Sequence, residues 1–143
     1  QVLDFAMNDK CAAGTGRFLQ VIANALEIDV SDLAALSAEQ TPITLNSMCT
    51  VFAESEVIGL LPHGRAKGEI IAGLHQSIAR RIAGMAQRMG TLNKVTFTGG
   101  VARNEGVRAN LEEQLGVPVL VPKDCQLAGA IGAALIARDS LRA

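Results

Sequence analysis

The sequence predicts an α/β layered fold. Three observations carry that expectation. Short β-branched runs alternate with helix-periodic stretches, glycines stand at the junctions, and small residues far outnumber aromatics, with four Phe and no Tyr or Trp. A chain of 143 residues is one domain's worth, long enough to enclose a core. Small residues at this density favour closely packed helices and glycine-dependent loops over an all-β sandwich.

The first element is a strand over residues 1–7, Gln1-Val-Leu-Asp-Phe-Ala-Met7, ending at Asn8-Asp9. A glycine-containing turn then leads into Phe18, Leu19, Ile22, Ala23 and Leu26, whose spacing is helical. Ser31 or Asp32 is a fair N-cap for a short helix to about Leu36. Residues 37–46 are polar and broken by Pro42, so they form a connection. Ser47 caps a helix from Cys49 to Leu61, stopped by Pro62 and Gly64.

The longest helix runs from about Ala66 to Met89. Its apolar stripe is Ile71, Leu74, Ile78, Ile82, Met85 and Met89, at three- and four-residue steps, and Gly90 is its C-cap. Lys67, Arg80, Arg81 and Arg88 fall off that stripe, and the arginines read as a solvated face. Lys94-Val-Thr-Phe-Thr98 is a strand that enters Gly99-Gly100 and then a helix from about Asn104 to Leu115. Gly116 closes that helix, and Val117-Pro-Val-Leu-Val121 is a further strand. Pro122 to Gln126 turn the chain into a last helix, 127–138, rich in Gly and Ala. There is no internal repeat and no low-complexity segment.

Formal net charge is −1 with both signs interspersed, which excludes the basic footprint of a nucleic-acid binder. No apolar run approaches the roughly eighteen residues of a membrane span, so a soluble, cytoplasmic chain is expected. Opening at Gln1 inside a strand-like run is the expected mark of a fragment. Three widely separated cysteines make a poor disulfide framework and point to a reducing compartment with metal or redox use.

Four segments could carry chemistry. In Asn8-Asp-Lys-Cys-Ala-Ala-Gly-Thr-Gly-Arg-Phe18, Cys11 sits where a strand gives way to a helix, followed by Gly14-Thr15-Gly16. Helix N-termini favour anions such as phosphate, thiolate or an anionic cluster, and they lower a thiol's pKa. A tight turn around a small buried cysteine reads the same residues equally well. Cys49, in Asn46-Ser-Met-Cys-Thr-Val-Phe-Ala-Glu-Ser-Glu56, repeats the situation of Cys11. Two cysteines cannot complete a four-thiolate cluster, but a two-fold homodimer would bring two pairs to its axis.

In Val95-Thr-Phe-Thr-Gly-Gly-Val-Ala-Arg-Asn104, a strand runs into Gly99-Gly100 and a helix, which lets a flat ligand lie against bare backbone. A packing turn is the competing reading, and neither a P-loop nor the G-x-G-x-x-G spacing is present. Leu127-Ala-Gly-Ala-Ile-Gly-Ala-Ala-Leu135 reads as a tightly docked helix, since each interior Gly costs roughly 1 kcal/mol against Ala unless close packing offsets it. Cys125, just before it, reads as structural. His63 and His75 lack a Cys or Ser partner nearby in sequence, so nucleophilic hydrolysis has little support and no catalytic residue is assigned.

Together these segments resemble the activator family of 2-hydroxyacyl-CoA dehydratases and the ATPase subunits of benzoyl-CoA reductases. The match is strongest in Met7-Asn-Asp-Lys-Cys-Ala-Ala-Gly-Thr-Gly-Arg-Phe18 and Ser47-Met-Cys-Thr-Val-Phe-Ala-Glu-Ser-Glu56. Thr98-Gly-Gly-Val-Ala-Arg-Asn104 is similar to the adenosine motif of the superfamily that includes actin, sugar kinases and chaperone ATPases. Gly129-Ala-Ile-Gly-Ala-Ala134 is similar to that superfamily's second connecting helix.

The resemblance implies that residues 1–143 are the C-terminal RNase H-like domain of the actin-like ATPase fold, with the N-terminal domain absent. It implies a homodimer holding one 4Fe-4S cluster between subunits, with Cys11 and Cys49 as this chain's ligands. ATP or ADP would be bound through Gly14, Thr15, Gly16, Gly99, Gly100, Val101 and Asn104. Nucleotide hydrolysis in that family drives a low-potential electron, received from ferredoxin or flavodoxin, into an enzyme that reduces a CoA thioester. The family's phosphate loop and its acidic Gly-Gly-Gln-Asp segment are missing here, and they hold most phosphate and Mg2+ contacts. This chain alone is therefore expected to bind adenosine weakly and not to hydrolyse ATP. Two alternatives stay open: a cluster-free sugar or acid kinase domain, and a non-catalytic interaction domain whose cysteines hold zinc or nothing.

Overall fold

The apolar stripe that begins after Ala66 becomes α4, Lys67–Gln87, and the rest of the chain is organised around it in this computed structural model. Residues 2–7, 16–45, 50–90 and 93–142 are described. At the start of α4 the Glu69 carboxylate accepts from the Ala66 N–H at 3.3 Å, satisfying a donor that the helix itself leaves unpaired. Ile70, Ile71, Leu74 and Ile78 are fully buried along one face.

Three helices add side chains to the same core. α1, Gly16–Ala25, contributes Phe18, Leu19 and Ile22; α3, Thr50–Leu60, contributes Ala53 and Val57; and α5, Glu105–Leu115, contributes Val107. α2, Leu33–Ser37, adds Leu33 and packs on both α4 and α5. Each buried Ile or Leu stabilises by about 1.5–3 kcal/mol. By contrast, the part-exposed pairs of Arg108 with Glu105 and Glu112 are each worth about 0.3–0.5 kcal/mol. The helical stripes hold the fold together.

The connection before α3 crosses α4 closely. The Ile43 N–H donates to the Glu69 carbonyl at 3.3 Å, and a Cβ at Gly73 would run into the Ile43 carbonyl oxygen. Behind α5 lies a two-stranded parallel sheet of β1, Val95–Thr96, and β2, Val119–Leu120. Val95 pairs with Val119 and Thr96 with Leu120, and α5 is the crossover that parallel pairing requires. A small second core of Ala79, Ala83, Leu111 and Val119 joins this unit to α4.

Several expectations change. Residues 2–7 form no strand: they have no ladder partner among the described residues, and Val2, Leu3, Phe5 and Met7 are exposed. Both five-residue strands shrink to two residues, extended by one further bond from the Phe97 N–H to the Leu120 carbonyl at 2.8 Å. A ladder can run only as far as a neighbour runs beside it. The last helix forms as α6, Ala128–Ser140, but it buries no residue, with Ile131, Leu135 and Ile136 exposed. Its expected tight docking is not seen, because no described element covers its small-residue face. The proposed cap Ser47 and the start of its helix at Cys49 lie outside the described residues.

Candidate functional site

Three segments converge on a cleft of about 470 Å³. The start of α1 supplies Gly16, Leu19 and Gln20. The approach to α2 and its first turn supply Val30, Ser31 and Ala34. The third wall is the 3₁₀ turn Gly100–Arg103 with Asn104, joined by Gln126. That volume falls in the roughly 300–1,000 Å³ range of small-molecule sites, and the mixture of apolar and hydrogen-bonding walls is typical of them.

Each wall has a local cause. Asp32 stands at the N-cap of α2, one of the two positions the sequence suggested, but makes no side-chain cap bond; the capping carboxylate belongs to Asp29, on the 3₁₀ turn before it. The Asp29 carboxylate accepts from the Ser31 hydroxyl at 2.6 Å and from the Ser31 N–H at 2.8 Å. Those bonds, the hydroxyl's first, hold the Asp29 carboxyl below the usual carboxylate range. The Ser31 proton is thereby spent on Asp29, so toward the cleft its oxygen can only accept.

On the opposite wall, Gly99 has φ +92°, a region that only glycine enters freely, and its N–H donates to the Cys125 carbonyl at 2.8 Å. Asn104 is the N-cap of α5: its carboxamide oxygen accepts from the Val107 N–H at 3.0 Å, an arrangement worth about 1 kcal/mol. The NH₂ end of that side chain takes no part in the cap and can donate to a ligand. Arg103 donates to the Gln126 carboxamide oxygen at 3.2 Å.

Arg103 is the charged residue among those lining the cleft. α1 begins at the cleft and carries no acidic residue in its first turn, so its partial positive charge is not offset there. Both features favour an anionic or strongly polar ligand.

Of the residues singled out from sequence, Gly16, Gly100, Val101 and Asn104 meet at this cleft. Gly99 does not line it; its part is to set the backbone turn that presents Gly100. Cys11, Gly14, Thr15 and Cys49 lie outside the described residues. Cys125 is buried. His63 is engaged elsewhere, its Nδ1–H donating to the Gly59 carbonyl at 2.8 Å. Leu19, Gln20, Val30, Ser31, Ala34, Arg103 and Gln126 were missed. Arg103 stood inside a motif already singled out, and its charge was the available signal. The α2 wall had none.

Residues 1–137 match the profile of the BadF/BadG/BcrA/BcrD ATPase family. The chain belongs to that family. Among curated relatives, it is 57% identical over 135 residues to the (R)-2-hydroxyglutaryl-CoA dehydratase activating ATPase of Acidaminococcus fermentans, covering 94% of this chain and 52% of that protein. It is 35% identical over 142 residues to a benzoyl-CoA reductase subunit of Thauera aromatica, covering 94% of this chain and 50% of the relative. The solved activator of the 2-hydroxyisocaproyl-CoA dehydratase from Clostridium difficile, with bound ADPNP, superposes with a TM-score of 0.93 at 45% identity, over 99% of this chain and 53% of that one. The chain thus spans about half the length of the relatives it matches. The helices and small parallel sheet accordingly belong to the BadF/BadG/BcrA/BcrD ATPase family. Among the described residues no helix is long and apolar enough to cross a membrane.

Proposed function

We propose that residues 1–143 are the nucleotide-binding, cluster-bearing C-terminal domain, RNase H-like in fold, of an ATP-dependent electron-transfer activator. The observation that carries this reading is the convergence of the α1 start and the Gly100–Asn104 turn on one cleft, in a chain whose solved relative is described with bound ADPNP. Gly16, Gly100, Val101 and Asn104 would hold the nucleoside, together with Gly14 and Thr15, which precede Gly16 in sequence, and with Gly99 shaping the turn. Mg2+ and most phosphate contacts are assigned to a preceding N-terminal domain. This chain alone would then bind ADP weakly and leave ATP intact.

Cys11 and Cys49 would each give a thiolate to a 4Fe-4S cluster completed by the same pair from a second copy. Support comes from the helices that follow them in sequence: α1 and α3 pack against one another. When bound, the cluster supplies a one-electron carrier. The electron would come from a cytoplasmic ferredoxin or flavodoxin and pass to a CoA-thioester dehydratase or reductase component, the class of enzyme named with the relatives above.

Titration with millimolar ADP, followed by amide chemical shifts, tests the nucleotide part. Saturable shifts at Gly16, Ser31, Ala34 and Gly100 are expected. Shifts confined to other surfaces, or none, would contradict it.

A further inference from the structure

Among the described residues His75 is the buried polar side chain, 1% exposed in the middle of α4. It does not line the cleft, and the proposed function leaves it unused. Its ring nevertheless touches the supports of two cleft walls.

The Nδ1 atom lies 3.1 Å from the Ser37 hydroxyl, at the end of α2. That hydroxyl has one proton, which it donates to the Ala34 carbonyl at 3.1 Å. With that proton directed at Ala34, Ser37 accepts from His75, an arrangement that places the ring proton on Nδ1 and leaves Nε2 a bare lone pair. Nε2 has no partner among the described residues. Against α5 the same Nδ1–Cε1 part of the imidazole fills the space where a Cβ of residue 106 would stand, so α5 reaches this depth against α4 only with Gly106 there. Ala34 lines the cleft from α2, and Asn104, two residues before Gly106, lines it from α5.

Burying an imidazole with one nitrogen unsatisfied costs stability, and an aliphatic side chain of similar size would avoid that cost. What the imidazole adds is direction. The Nδ1–H bond sets where α2 stands on α4, and the flat ring sets how near α5 comes. We propose that His75 is a positioning residue of the nucleotide cleft, fixing the separation between the Ser31–Ala34 wall and the Gly100–Asn104 wall. This inference rests on the nucleotide-binding reading of that cleft.

The test is ADP affinity and melting temperature in four forms of the protein: wild type, His75→Leu, His75→Asn and, as a core control, Ile78→Val. Leu keeps much of the volume but has no donor, whereas the Asn carboxamide can place an N–H near Nδ1. His75→Leu is expected to melt no lower than wild type, because relief of the unpaired buried nitrogen offsets the lost Ser37 bond. Its ADP Kd should rise about three- to ten-fold as the α2 wall loses its fixed place. His75→Asn should melt lower, because a shorter side chain leaves a cavity, yet keep a Kd within about two-fold of wild type. Ile78→Val should lower the melting temperature with Kd unchanged.

A wild-type Kd in His75→Leu overturns the proposal, as does affinity that merely follows melting temperature across the variants. Ring ¹⁵N shifts reporting an Nε2–H tautomer also overturn it. If wild type itself binds no ADP, the nucleotide reading falls first and this one with it; wild-type binding with an unaffected Leu variant removes this one alone.

Discussion

Lowering the pH from about 7.5 to about 4 should destabilise the protein through His75 in a way that one substitution abolishes. Burial holds the His75 pKa down to about 4, against 6.5 for the free side chain. Well above pH 6.5 the ring is neutral in both folded and unfolded chains, and its contribution to stability is complete. Between 6.5 and about 4 the unfolded chain takes up a proton that the folded chain refuses, so stability falls. Below about 4 both forms are protonated and the loss levels off.

The gap amounts to roughly 2.5 pH units at about 1.36 kcal/mol each, or about 3 kcal/mol in full and about 2 kcal/mol by pH 5. Against a total of about 5–15 kcal/mol for an ordinary domain, that is readily measured. The assay is urea denaturation at a series of pH values for wild type and His75→Leu, compared as a difference. Asp29, whose pKa is lowered, loses its own contribution as pH falls through its folded value, but it does so equally in both proteins and cancels. The stability difference between the two should shift toward the Leu variant by about 2 kcal/mol between pH 7.5 and 5. Parallel curves would refute the buried, neutral imidazole.

Two further substitutions separate backbone roles from ligand roles. Asn104→Ala should lower stability by about 1 kcal/mol through loss of the α5 cap, measured by thermal or urea unfolding. Asn104→Asp should keep the cap and the stability but weaken ADP binding, because it adds a negative charge to the cleft wall. Gly73→Ala should cost about 1–3 kcal/mol, since its Cβ meets the Ile43 carbonyl and backbone must yield; a melting temperature equal to wild type would contradict the close crossing.

What could be read from the sequence was what is periodic or local. Ile71, Leu74 and Ile78 announce α4 because a helix facing a core repeats every three or four residues. Gly99-Gly100 followed by Asn104 marks a turn and a helix cap, and Gly100 and Asn104 do line the cleft. What escaped depends on distant partners. Val2, Leu3 and Phe5 have strand-like composition, yet a strand exists only beside a neighbour. The small residues of α6 signal close packing, but no described element packs there. Asp29, Ser31 and Asp32 are all good caps, and only the geometry selects Asp29. The α2 wall of the cleft carries no motif. The contact of His75 with Ser37 spans 38 positions in sequence, beyond the reach of any local pattern.

Iron and acid-labile sulfide, measured on anaerobically purified protein together with its state of association, bear most directly on the proposal that two copies share one cluster. The expected result is a dimer carrying about two irons per chain, as one 4Fe-4S centre between two subunits requires. Cys11→Ala and Cys49→Ala should each abolish that iron. A dimer free of iron, or iron that survives loss of either thiol, would contradict the account.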